Sequence, residues 1–104
     1  MMNSQKIARA LSDPIRYQIL LLLARTDQSC CPVPAGENNL PGLCNCEIMA
    51  KMNMIQSRVS YHMKELVEAG LVTEQPSGKW KYYYLNQDVL QQFIRQLQQD
   101  FQLE

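Results

Sequence analysis

Residues 56–70, QSRVSYHMKELVEAG, restrict the possible folds more than any other stretch of the chain. Val59, Met63, Leu66 and Val67 fall within one arc of a helix, and Ser57, Arg58, Tyr61, Lys64 and Glu68 fall on the opposite side. Gly70 is the residue type that commonly closes such a helix. Immediately beyond it, residues 71–75 and 79–85 read as two strands around a turn at Pro76-Ser77-Gly78. A helix with one apolar face, handed straight to a hairpin, needs other helices to cover it.

The remaining segments supply them. Residues 4–11 form a short amphipathic helix with Ile7, Ala8 and Leu11 on one side. Asp13-Pro14 is a helix start, the Asp as cap and the Pro in the first turn. Ile15, Ile19, Leu22 and Leu23 keep helical spacing to residue 25. A long loop, about 26–43, follows, because its prolines, glycines and Asn-Asn pair oppose regular structure. A short helix spans 45–52, and a break near Asn53 separates it from the helix at 56. Asn86 caps a last helix with Leu90, Phe93, Ile94, Leu97 and Phe101 on one stripe. Helix, helix, loop, helix, helix, hairpin, helix is the order of a winged helix-turn-helix: a mainly α fold with a β-hairpin wing, in a single domain over 1–104.

At 104 residues and 46% apolar composition, the chain can build one modest core. Small domains often gain their last stability from a partner subunit. No run approaches membrane-spanning length and the N-terminus lacks a signal-peptide core, so no membrane partner and a cytoplasmic address are expected.

Formal net charge is zero, so any nucleic-acid surface must be local. Residues 51–64 carry three cationic residues and no acid, and residues 76–85 carry two lysines and no acid. A short helix, a tight turn and a longer polar-faced helix is how a recognition helix enters the major groove. Gln56, Ser57, Arg58 and Tyr61 are placed to read base edges, Gln pairing with adenine and Arg with guanine. Ser60, His62 and Lys64, with Lys79 and Lys81 of the hairpin, are expected on phosphates of double-stranded DNA.

All four cysteines lie in residues 30–46: Cys30, Cys31, Cys44 and Cys46. In a reducing compartment, clustered thiols point to metal, metalloid or redox chemistry rather than disulfides. The C-C-x12-C-x-C spacing differs from a zinc ribbon. Soft thiolates select thiophilic ions, leaving zinc, cadmium, lead, copper(I), arsenic(III), antimony(III), an iron–sulfur cluster or a redox switch open. In mid-helix, residues 44 and 46 would point about 200° apart, so convergence needs an irregular helix start. One histidine and no C-x2-C at a strand–helix junction give no catalytic set, so no enzyme is expected.

The stretches ALSDPIRYQILLLL, LCNCEIMAKM, QSRVSYHMKELVEAGLV and GKWKYYYLN resemble successive signatures of the ArsR/SmtB family of metal-responsive bacterial repressors. The resemblance runs from about residue 7 to 97. It implies a winged helix-turn-helix homodimer that holds operator DNA and releases it on binding its inducer, with Leu90, Phe93, Ile94, Leu97 and Phe101 of the C-terminal helix, beside the N-terminal helix, as the expected dimer interface. Cys44 and Cys46 match the first two cysteines of the C-x-C-x2-C signature of arsenite- and antimonite-responsive members. The resemblance therefore implies As(III) or Sb(III) as inducer. The signature's third cysteine falls on Met49, so a third sulfur must come from Cys30 or Cys31. The family's other common metal site needs histidine on the C-terminal helix, which has none here. Ile55 stands where a small polar cap is usual, leaving Asn53 as the expected cap.

Overall fold

The computed structural model describes residues 3–25 and 42–104. Its elements are α1 (Ser4–Ser12), α2 (Pro14–Arg25), β1 (Gly42–Cys44), α3 (Asn45–Met52), α4 (Gln56–Glu68), β2 (Val72–Ser77), β3 (Trp80–Leu85) and α5 (Gln87–Asp100). This is the expected order of a mainly α winged helix-turn-helix, with one added strand.

Polar caps set the helix starts. Asn3 Oδ1 accepts from the Lys6 amide at 3.1 Å to open α1. Asp13 Oδ1 accepts from the amides of Ile15 at 2.8 Å and Arg16 at 3.3 Å, and Pro14 has no amide hydrogen to satisfy. Asn86 Oδ1 accepts from the Val89 amide at 3.3 Å to open α5. Asn53, expected to cap α4, instead ends α3 in the left-handed region at φ 52°, ψ 52°. Its amide and that of Met54 both donate to the Met49 carbonyl, which makes the tight turn into α4. Ile55 therefore occupies the N-cap of α4, with no side-chain capping bond.

At the far end of α4, Gly70 has φ 82°. The Gly70 amide donates to the Val67 carbonyl at 3.0 Å and the Leu71 amide to the Leu66 carbonyl at 3.1 Å, closing a Schellman motif. The chain then enters a three-stranded antiparallel sheet in the order β1-β3-β2. Ser77 pairs with Trp80, so the hairpin turn is Gly78-Lys79 rather than the expected 76–78. Gly78 carries a positive φ of 61° and Lys79 does not, the pattern of a type II′ turn. Pro76 lies within β2, where an edge strand tolerates the missing donor.

β1 corrects the expected loop of 26–43, since its last residues, 42 and 43, form a strand on β3 together with Cys44. A Cβ on Gly42 would run into the Tyr84 ring and lie 2.8 Å from the Tyr83 carbonyl oxygen, so only glycine fits there. Residues 26–41, with Cys30 and Cys31, lie outside the described residues.

The core gathers Ile7, Ile19, Leu23, Leu43, Ile48, Val59, Met63, Leu66, Leu71 and Tyr83. Met49, Met52 and Met54 pack at its edge. No helix among the described residues is long and apolar enough to cross a membrane.

Candidate DNA-reading face and thiol site

Gln56, Ser57, Arg58, Ser60, Tyr61 and Lys64 all lie on the exposed face of α4. The helix buries Val59, Met63 and Leu66 beneath them, which fixes the roll of the polar face outward. Lys79 and Lys81 are exposed on the hairpin beside it. The two lysines differ. Lys79 Nζ lies 5.5 Å from the centre of the Trp80 ring at the hairpin tip. Lys81 Nζ pairs with Glu74 Oε1 at 3.4 Å, so its charge is partly compensated within the wing. Ser60, Lys64, Glu74, Lys81 and Tyr83 line a shallow cleft of about 370 Å³ between α4 and the wing. Burial pushes the Tyr83 phenol well above its ordinary range, and the Glu74 carboxylate raises it further.

His62 departs from expectation. It is 5% exposed and turned inward, so it does not belong with the phosphate-facing side chains. Its position next to Met63 and three residues after Val59 places it at the margin of the core arc. There Arg16 Nη1 lies 3.4 Å from His62 Nδ1, and Arg16 Nε donates to the Ala10 carbonyl at 3.2 Å. Asp13 Oδ2 completes the group, 3.8 Å from Arg16 Nη1. Burial lowers the His62 pKa; the Asp13 carboxylate opposes this, and the Arg16 and Arg58 charges reinforce it. A neutral ring, accepting from Arg16 at Nδ1, fits that direction. One buried arginine thereby joins the end of α1, the start of α2 and the middle of α4. Arg16 does not stand out in the sequence as a functional residue, although its place on a stripe with Ile19, Leu20 and Leu23 is a readable signal.

The thiol pair sits at the junction of β1 and α3. Cys44 is both the last residue of β1 and the N-cap of α3, with extended backbone at φ −75°, ψ 151°. Cys46 belongs to the first helical turn. Because Cys44 is not helical, the separation of about 200° expected in mid-helix does not apply. The Cys46 and Cys44 sulfurs approach to 3.1 Å, and Cys44 Sγ lies 3.4 Å from Asn45 Oδ1. Two metal–sulfur bonds of about 2.3 Å, at angles of roughly 90–109°, place their sulfurs about 3.3–3.8 Å apart. The pair is close to that spacing already. Cys44 is buried and Cys46 half-buried, and both are thiols. Among the described residues no group of three His, Cys, Asp or Glu side chains could hold a metal ion. Met49 is turned to the core.

This junction touches the wing as well as α3. Cys44 stands opposite Tyr82 in the β1–β3 ladder, and Asn45 Oδ1 accepts from the Lys81 amide at 3.4 Å.

Residues 40–74 match the family model described as bacterial regulatory protein, arsR family. The chain is 36% identical over 91 residues to the arsenical resistance operon repressor of Staphylococcus aureus, covering 88% of this chain and 73% of that one. It is 30% identical over 93 residues to an uncharacterized HTH-type transcriptional regulator of Methanocaldococcus jannaschii, covering 89% of each. Among solved structures, it is similar to the homodimeric winged helix-turn-helix DNA-binding domain of a possible ArsR-family transcriptional regulator from Mycobacterium bovis. That likeness has a TM-score of 0.64 and 25% identity, over 96% of this chain and 81% of that one.

Proposed function

The chain belongs to the ArsR family of bacterial regulatory proteins and is a DNA-binding transcriptional repressor of that family, from which we propose that As(III) or Sb(III) is its inducer. The ion binds Cys44 and Cys46, with a further sulfur from Cys30 or Cys31, and operator DNA is released. The observation that carries this reading is the 3.1 Å approach of the two sulfurs at the start of the helix preceding the recognition helix. Thiophilic ions suit such a donor pair better than hard cations. The arsenical resistance function named for the staphylococcal relative supports the same choice.

In this reading the protein acts as a homodimer, joined by the α5 stripe and reading two half-sites through α4. Gln56, Ser57, Arg58 and Tyr61 read bases, while Ser60, Lys64, Lys79 and Lys81 hold phosphates. Drawing the sulfurs around an ion moves the β1–α3 junction. That movement reaches α4 through the turn at Asn53 and the wing through β3. The required effect is modest, because allosteric couplings are typically about 1–3 kcal/mol.

A gel-shift on the DNA upstream of the protein's own gene tests the proposal. The expected result is a shifted complex that As(III) and Sb(III) dissolve at lower concentration than Cd(II) or Zn(II). A complex indifferent to As(III) and Sb(III) but dissolved by Cd(II) or Zn(II) would transfer the inducer role to those ions.

A further inference from the structure

Ile55 breaks two local rules at once. It is the N-cap of α4, a position at which Ser, Thr, Asp and Asn are favoured and isoleucine is among the poorest choices. No side-chain bond caps the helix there. It is also 70% exposed, the most exposed large hydrophobic residue among those described. Neither packing nor capping accounts for an isoleucine at this position. Sequences that violate local rules without a folded-state gain do so most often at functional sites.

Its surroundings indicate what it contacts. Ile55 is followed by Gln56, Ser57 and Arg58, all exposed, at the N-terminal end of the helix that the fold offers to the major groove. Residues 51–64 contain no acid, so the neighbourhood suits a nucleic acid. The one apolar group that the major groove presents is the thymine 5-methyl.

We propose that Ile55 is a specificity-determining residue that packs its side chain on a thymine 5-methyl group in the operator half-site. Loss of a small polar cap at this residue is thus exchanged for an apolar base contact. The inference rests on the DNA-binding part of the proposed function and is independent of the inducer.

The test compares thymine with deoxyuridine, which differs only by that methyl. A duplex enriched by the wild-type protein from random DNA is prepared with either base throughout, and Kd is measured for wild type, Ile55→Ser and Ile55→Ala. Burying one methyl group contributes about a fourfold change in affinity. The wild type should therefore prefer the thymine duplex by about fourfold or more per half-site, and both variants should lose at least that factor of the preference. Ile55→Ser should melt at the same temperature or a few degrees higher, since serine restores a cap. A wild type blind to the methyl groups, or a preference kept intact in both variants, overturns the proposal. Wild type that enriches no duplex at all would instead overturn the DNA-binding reading beneath it.

Discussion

His62 shows how one buried side chain can set a pH dependence for the whole domain. The unfolded chain titrates it near 6.5, whereas burial lowers its pKa in the folded protein. A depressed histidine pKa means that the unfolded state binds more protons, so stability is complete above about pH 6.5 and declines as pH falls toward the folded value. Asp13 faces the same group from the start of α2, but its carboxyl is lowered from 3.8 and titrates in a separate, more acidic window. His62 is the sole histidine. Thermal melts should therefore lose stability as pH falls below about 6.5, and His62→Gln should flatten that slope. An unchanged slope in the variant would mean that another group titrates.

At the scale of elements, the junction of β1 and α3 is the part that sequence patterns did not disclose. The recognition helix, both wing strands and the C-terminal helix were legible because each has a long local signature: a core arc, a glycine close, an asparagine cap. β1 has no such signature. Ordering three backbone residues costs roughly 3–6 kcal/mol. Burial of Leu43 contributes about 1.5–3 kcal/mol, burial of Cys44 adds to it, and ladder bonds to β3, about forty residues away, supply more. A strand stabilised by a remote partner leaves no periodicity in its own three letters. The thiol pair was legible as a pair converging at an irregular helix start, but the strand that holds Cys44 extended there was not. The inward turn of His62 was equally hidden, since its partner Arg16 lies in α2. The hairpin turn shifted because a two-residue type II′ turn needs only Gly78 at positive φ, which let Pro76 and Ser77 join the edge strand.

The same junction makes a prediction. Asn45 joins the thiol site to the wing through the Lys81 amide. Asn45→Ala should leave operator affinity within about twofold while reducing the As(III)-induced loss of affinity several-fold, out of a typical coupling of about 5–150-fold. Titrations of labelled operator with and without arsenite measure both quantities. Full coupling in the variant would remove the wing from the route.

For the whole molecule, the proposed homodimer rests on the surface of α5. Leu90 and Phe93 pack on the edge of the core, whereas Ile94 and Phe101 are 54% and 69% exposed and Leu97 lies between them. Exposed apolar side chains at helical spacing fit a second copy of the chain, in keeping with the homodimeric relative. Ile94→Glu combined with Phe101→Glu should yield monomers in sedimentation velocity, with a lowered melting temperature because the partner's stabilisation is lost. Operator affinity should weaken about tenfold or more, because two half-sites are no longer bound by one linked pair. A double variant that remains dimeric would place the interface elsewhere.

In the proposed function, Cys44 and Cys46 form the inducer site and filling it releases DNA. Fluorescence anisotropy of labelled operator, titrated with arsenite in the presence of wild type, Cys44→Ser or Cys46→Ser, tests it most directly. Serine is close to cysteine in shape and keeps the donor that Cys44 presents to Asn45, so the variants should fold and bind operator as wild type does. Arsenite should release operator from the wild type and from neither variant. Release from the serine variants at wild-type arsenite concentrations would place the inducer site elsewhere.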